Sequence, residues 1–166
     1  MDPLGHCYLI ASIKRTTHSG THVSCHMLII YSLRVVDSNT VFSISDGKIG
    51  DEFISKHSVL MTHAWIVHKR LLVEGAEGLR TQEAMFDELW EDTCARMRAI
   101  GINELSINKH LGEVQTHSFK YCMELDEALK KETESEILHE MGGAIWRNAY
   151  AARDDVEDHH IMEFAK

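Results

Sequence analysis

Proline is almost missing from this 166-residue chain: Pro3 is the sole one. Proline inside a helix removes a hydrogen bond and clashes with the preceding turn, so nothing of that kind interrupts the chain after its third residue. Also missing is any apolar run of the roughly 18–20 residues that a membrane-spanning helix needs. The four cysteines, Cys7, Cys25, Cys94 and Cys122, form no C-x-x-C pair. That excludes a zinc knuckle built on such pairs and argues against a disulfide framework. No glycine loop is placed to cradle phosphate, and no Ser-His-Asp or Cys-His pattern nominates a nucleophile.

What remains is soluble, globular composition with length for one sizeable core. The net charge of −9 is unevenly spread. Residues 1–50 hold four Lys/Arg against three Asp/Glu, and residues 51–166 hold thirteen against twenty-three. So acidic a body lacks the clustered cations that a phosphate backbone requires, which argues against direct nucleic-acid binding. The start is low in acids up to Asp37 and rich in Ser/Thr. It has a partial likeness to an organellar transit peptide, yet is poor in arginine and apolar at "HMLIIYSL".

Residues 1–50 show no sustained period and read as a poorly specified N-terminal segment, disordered or misannotated. "SDGKIGDE" (45–52) is a turn by composition. From residue 51 the pattern sharpens into an all-α bundle of four to five helices. The first spans 52–74 and ends in "EGAEG", with Gly75 and Gly78 as stops. The second, 79–100, groups Leu79, Phe86, Leu89, Trp90, Thr93, Met97 and Ile100 on one face and ends at Gly101. Asn103 caps a third over 104–130, with the stripe Ile107, Leu111, Val114, Tyr121, Leu125 and Leu129. "TESE" (133–136) is a capping box opening a fourth that runs to about 151. Gly142 and Gly143 inside it cost about 1 kcal/mol each relative to alanine unless a close helix crossing uses them. A short fifth helix starts near 156.

The first helix is apolar nearly all round, which marks it as central to the bundle. Its remaining polar seam is Lys56, His63 and Arg70, spaced by sevens, with Glu74 in ion-pair register with Arg70. His57 and His68 fall inside the main apolar stripe. His63 and His68 are about 140° apart on the wheel and cannot easily share an ion. The plain reading is a buried, hydrogen-bonded polar seam. In "HSGTHVSCH", His18, His22, Cys25 and His26 have ligand spacing only if helical, and Gly20 with the Ser/Thr content opposes that. Glu136/His139 and Glu157/His160 match the E-x-x-H signature of di-iron bundles. This raises a metal-dependent helical-bundle enzyme as an alternative, but Glu136 sits in a first turn about 160° from Leu138, facing solvent. Trp65, Trp90 and Trp146 serve as core anchors; "WED" and "WR" (146–147) also place tryptophan and arginine, the residues of interface hot spots.

Taken in order, "THAW" (62–65), Arg70, "EGAEG" (74–78), "LWED" (89–92) with Arg96, Gly101, "LDEAL" (125–129) and "AIWRN" (144–148) resemble the ubiquinol–cytochrome c reductase chaperone family, the assembly factors for cytochrome b. "HHIMEF" (159–164) looks like the start of the helix that follows in that family. The resemblance covers about 51–166, leaves 1–50 unmatched, and implies a C-terminally truncated domain.

The resemblance implies a helical, non-enzymatic chaperone domain with no cofactor and no metal. It implies a mitochondrial protein at the matrix side of the inner membrane, peripheral and without a transmembrane helix. The implied partners are nascent cytochrome b, a small helical partner chaperone and the vicinity of the mitochondrial ribosome. The pieces that carry it nominate His63, Trp65, Arg70, Glu74, Trp90, Asp126, Trp146 and Arg147 as client- or partner-binding residues. A generic helical adaptor outside mitochondria is the second alternative.

Overall fold

A computed structural model describes residues 47–166. The "HSGTHVSCH" reading and nearly all of the 1–50 segment lie outside the described residues. Those described form five α-helices and no strand.

Helix α1 is Phe53–Leu71. It packs against its two successors and against the fourth helix. That central position explains its composition, because Ser55, His57, Val59, Leu60, Met61, Ala64, Trp65 and Val67 are buried around its circumference. A 3-10 turn, Leu72–Glu74, follows, and α2 is Gly75–Ala99. Gly75 turns the chain with φ +68° and ψ −143°, a region open essentially to glycine alone.

Gly78 is not a stop, as its place in "EGAEG" suggests. It is buried in the first turns of α2, where an added Cβ would overlap the Leu71 carbonyl. The second glycine lets α2 fold back closely on the end of α1. Helix α2 starts earlier than the apolar period indicates. Val73 in the 3-10 turn and Leu79 in the second turn of α2 are exposed, although Leu79 belongs to the apolar face of the second helix.

Gly101 ends α2 in the left-handed conformation, φ +88°. The Ile102 N–H reaches the Met97 carbonyl and the Gly101 N–H reaches that of Arg98, so free carbonyls of the last turn are satisfied. Ile100, the C-cap residue immediately before Gly101, is exposed. Helix α3 is Glu104–Ala128, with the Asn103 side chain accepting from the Leu105 N–H. Leu129 follows its last turn and is likewise exposed.

Helix α4, Glu134–Asn148, opens with the expected capping box of Thr133 and Glu136. It stops before 151 because Ala151 and Ala152 both adopt left-handed conformations, φ +52° and +53°. Helix α5 is Asp158–Ala165. Gly142 lies at the α4–α5 crossing, where an added Cβ would meet the Met162 sulfur at 3.2 Å.

Leu60, Met61, Leu89, Tyr121, Leu125, Ile145 and Tyr150 form the main core. Ile49 joins it, and Arg153 donates to the Lys48 carbonyl, so the packed unit reaches back at least to residue 48. Met97, Ile107 and Val114 form a smaller core where α2 meets α3. No helix among the described residues is long and apolar enough to cross a membrane.

Candidate functional site

The α1–α3 interface is a polar seam threaded through the core. The two helices run in the same direction, so their partners climb together. His57 Nε2 meets Ser118 Oγ at 3.0 Å. Ser118 already donates to the Val114 carbonyl, so His57 is the donor and carries its proton on Nε2. Ser58 Oγ and His117 Nε2 are 3.3 Å apart. Thr62 donates to the Ser58 carbonyl, which leaves the Tyr121 hydroxyl to donate to Thr62 Oγ1 at 2.8 Å.

Burial, helped by the nearby His117 and Arg96 charges, brings the His57 pKa from 6.5 down to about 4. His57 is therefore neutral across the physiological range. Burial likewise raises the Tyr121 hydroxyl well above its usual value.

At the far end the seam surfaces. Trp65 Nε1 donates to Asp126 Oδ1 at 2.7 Å. Lys69 Nζ lies 2.7 Å from the same oxygen and 5.8 Å from the Trp65 ring centroid. Burial acts to raise the Asp126 pKa, but the hydrogen bonds from Lys69 and Trp65 outweigh it and hold the carboxyl below its ordinary value.

Beside this triad lies an open groove of about 610 Å³ between α1, α2 and α3. Phe86 and Trp90 stack at 6.5 Å. Phe119 meets Trp90 edge-on at 6.0 Å, and His68 meets Phe86 edge-on at 5.9 Å. Cys122 lines the floor, its thiol pushed up to about 11 by burial and then by Asp126. It is a protonated, weakly nucleophilic side chain. Phe119 forms a ridge to a second cleft of about 620 Å³ between α3 and α4, lined also by Met123 and Arg147. Phe119 is 54% and Met123 66% exposed. One turn apart on α3, they leave an unpaired apolar surface at the groove's edge.

Of the residues nominated from the sequence, Trp65, Trp90 and Asp126 meet around the first groove. Arg147 lines the second cleft, with both its Nε and Nη2 donating to Glu124. The other four lie elsewhere. His63 is buried with Nδ1 2.8 Å from the Val59 carbonyl. Arg70 pairs with Glu74 at the corner into α2. Trp146 donates to the Arg153 carbonyl and holds the turn after α4.

The sequence does not mark Phe86, Phe119 or Met123 as site residues. Phe86 reads as a core position on its stripe, and the exposure of Phe119 and Met123 depends on which face of α3 its neighbours leave open. The periodicity of α3 held one signal: both fall outside its stripe of Ile107, Val114, Tyr121 and Leu125.

The E-x-x-H pairs do not converge. Glu136 is engaged at the helix start with Thr133, and the ring of His160 lies 3.9 Å from that of His159, centroid to centroid, tilted by 37°. Among the described residues no group of three or more His, Cys, Asp or Glu is placed to hold a metal ion.

The family model described as ubiquinol-cytochrome C chaperone matches residues 45–166. The chain belongs to the ubiquinol–cytochrome C chaperone family. It is similar to human ubiquinol-cytochrome c reductase complex assembly factor 1, with 24% identity over 100 residues. Those residues cover 60% of this chain and 32% of the human protein, so the chain spans about a third of the length of the curated relative it matches. No solved structure matches it.

The pieces that carry the resemblance divide between scaffold and groove. "THAW" supplies Thr62 to the seam and Trp65 to the groove. "LWED" supplies Leu89 to the core, Trp90 to the groove, and Asp92 as partner of Arg96. "LDEAL" buries Leu125 and Ala128 around Asp126. "AIWRN" buries Ala144 and Ile145.

Proposed function

We propose that this chain is a mitochondrial complex III assembly factor that holds newly synthesised cytochrome b by protein–protein binding, without catalysis. The observation that carries the reading is the aromatic groove beside the Trp65–Asp126–Lys69 triad, in a chain of the ubiquinol–cytochrome C chaperone family. A hydrophobic client is best held by aromatic anchors in a rigid cleft. Trp90 is braced between Phe86 and Phe119, and Trp65 is fixed by its hydrogen bond, so the surface is ordered before the client arrives and little entropy is lost on binding.

In this reading the chain works at the matrix side of the inner membrane, peripheral to it. It acts beside a small helical partner chaperone, close to the mitochondrial ribosome, and makes no direct contact with nucleic acid. The acidic body supports that last point, since it would be repelled by phosphate.

The test is to import the tagged full chain into mitochondria, label mitochondrial translation and recover the bound products. Labelled cytochrome b enriched over the other products is the expected result. Recovery of no product, or of all products equally, would contradict the reading.

A further inference from the structure

We propose that the α1/α2/α3 groove takes the membrane-interface flank of a transmembrane segment, a short stretch in which an aromatic or aliphatic anchor stands beside lysine or arginine. The inference rests on the client reading above and names the part of the client that the groove recognises.

The groove joins two chemistries. Its floor is largely aromatic, with Trp90 in ring contact with both Phe86 and Phe119. Its α2 rim is acidic: Glu83 and Asp87 stand one turn apart, both exposed. Neither forms an ion pair with another described residue, whereas Asp126 across the groove is already neutralised by Lys69. Next to Glu83, Gln82 Oε1 is buried with no hydrogen-bond partner. An amide oxygen and two carboxylates are acceptors only, so the rim calls for a ligand that brings donors and positive charge.

A wholly apolar segment would bury these acceptors without partners, which costs free energy. An acidic segment would meet like charge. A segment with an apolar anchor and an adjacent cation satisfies both parts at once. Membrane proteins concentrate that combination where a transmembrane helix leaves the bilayer: aromatic residues at the interface, and lysine and arginine on the inner side. No helix among this chain's own described residues can cross a membrane, so it would hold such a flank from outside the bilayer.

The experiment uses the purified full chain and a dye-labelled synthetic peptide carrying one tryptophan, leucines and paired lysines, read by fluorescence anisotropy. Two control peptides replace the lysines by glutamates, or the tryptophan and leucines by serines. The expected result is binding of the first peptide, weakened by salt and reduced about tenfold or more in either control. In the Glu83→Lys/Asp87→Lys variant the preference should reverse toward the glutamate peptide. Both positions are exposed, and circular dichroism checks that the fold is kept.

Affinity indifferent to peptide charge, or no binding of any peptide, overturns the proposal. The same double variant, imported beside the wild type, separates this inference from the client reading. Equal capture of cytochrome b by both overturns the inference and leaves the reading intact. Failure of the wild type to capture cytochrome b removes the reading, while the charge reversal with peptides still reports on what the groove accepts.

Discussion

His57 shows how a polar side chain is accommodated at the centre of this bundle. It donates to Ser118, stacks on Phe53 with centroids 5.9 Å apart, and stays neutral. The unfolded chain binds a proton at about pH 6.5, while the folded chain resists until about pH 4. The unfolded state therefore holds more protons between these values. Stability from this group is complete above pH 6.5 and is lost as the pH falls toward 4, by at most about 1.4 kcal/mol per pH unit. Urea denaturation across that range should show the loss, and His57→Gln should make the dependence shallower. Tyr121→Phe should cost about 1–2 kcal/mol at neutral pH, because it removes the donor to the buried Thr62 hydroxyl; the same denaturation measurement reads it.

That a polar seam runs through α1 was legible in the sequence, but which residues form it was not. Spacing by sevens points to Lys56, His63 and Arg70. The helix–helix seam is instead His57, Ser58, Thr62, Trp65 and Lys69, because α3 lies against that side. A wheel reports which residues share a face, not which neighbour the face meets.

The elements were more readable where a local hydrogen bond decides them. Asn103 and the Thr133–Glu136 box start their helices, and Gly101 ends one, because each is a short-range pattern. The ends of α1 and α4 were harder, being set by packing. Gly78 lies within a helix, where propensity alone favours alanine by about 1 kcal/mol. Its Cα approaches the Leu71 carbonyl too closely for any side chain. Gly78→Ala should therefore destabilise, by about 2 kcal/mol or more, since backbone must shift; thermal unfolding would show it. The end of α4 shows the opposite sign. Ala151 and Ala152 occupy left-handed conformations without glycine, held by the Ala152 N–H to the Trp146 carbonyl and the Trp146 indole to the Arg153 carbonyl. Ala152→Gly should relieve strain and stabilise by up to about 1 kcal/mol, visible as a raised melting temperature.

At the scale of the whole molecule, the bundle places two anchored tryptophans beside an exposed apolar edge. Trp65 and Trp90 are anchored by Asp126, Phe86 and Phe119, while Phe119 and Met123 stand open at the groove's edge. Fragments such as "THAW", "LWED" and "LDEAL", which carry the family resemblance, both hold the scaffold together and line the groove. The groove itself emerges only when three helices meet, which no single stretch of sequence encodes. The central claim is that this surface is where the client sits. It is tested most directly by placing a photoreactive amino acid at position 119 or 123, or at the exposed position 105 outside the groove, in the full chain imported into mitochondria with labelled translation products. The account predicts crosslinks to cytochrome b from 119 and 123 and none from 105. Crosslinks from 105 alone, or equal yields from all three positions, would contradict it.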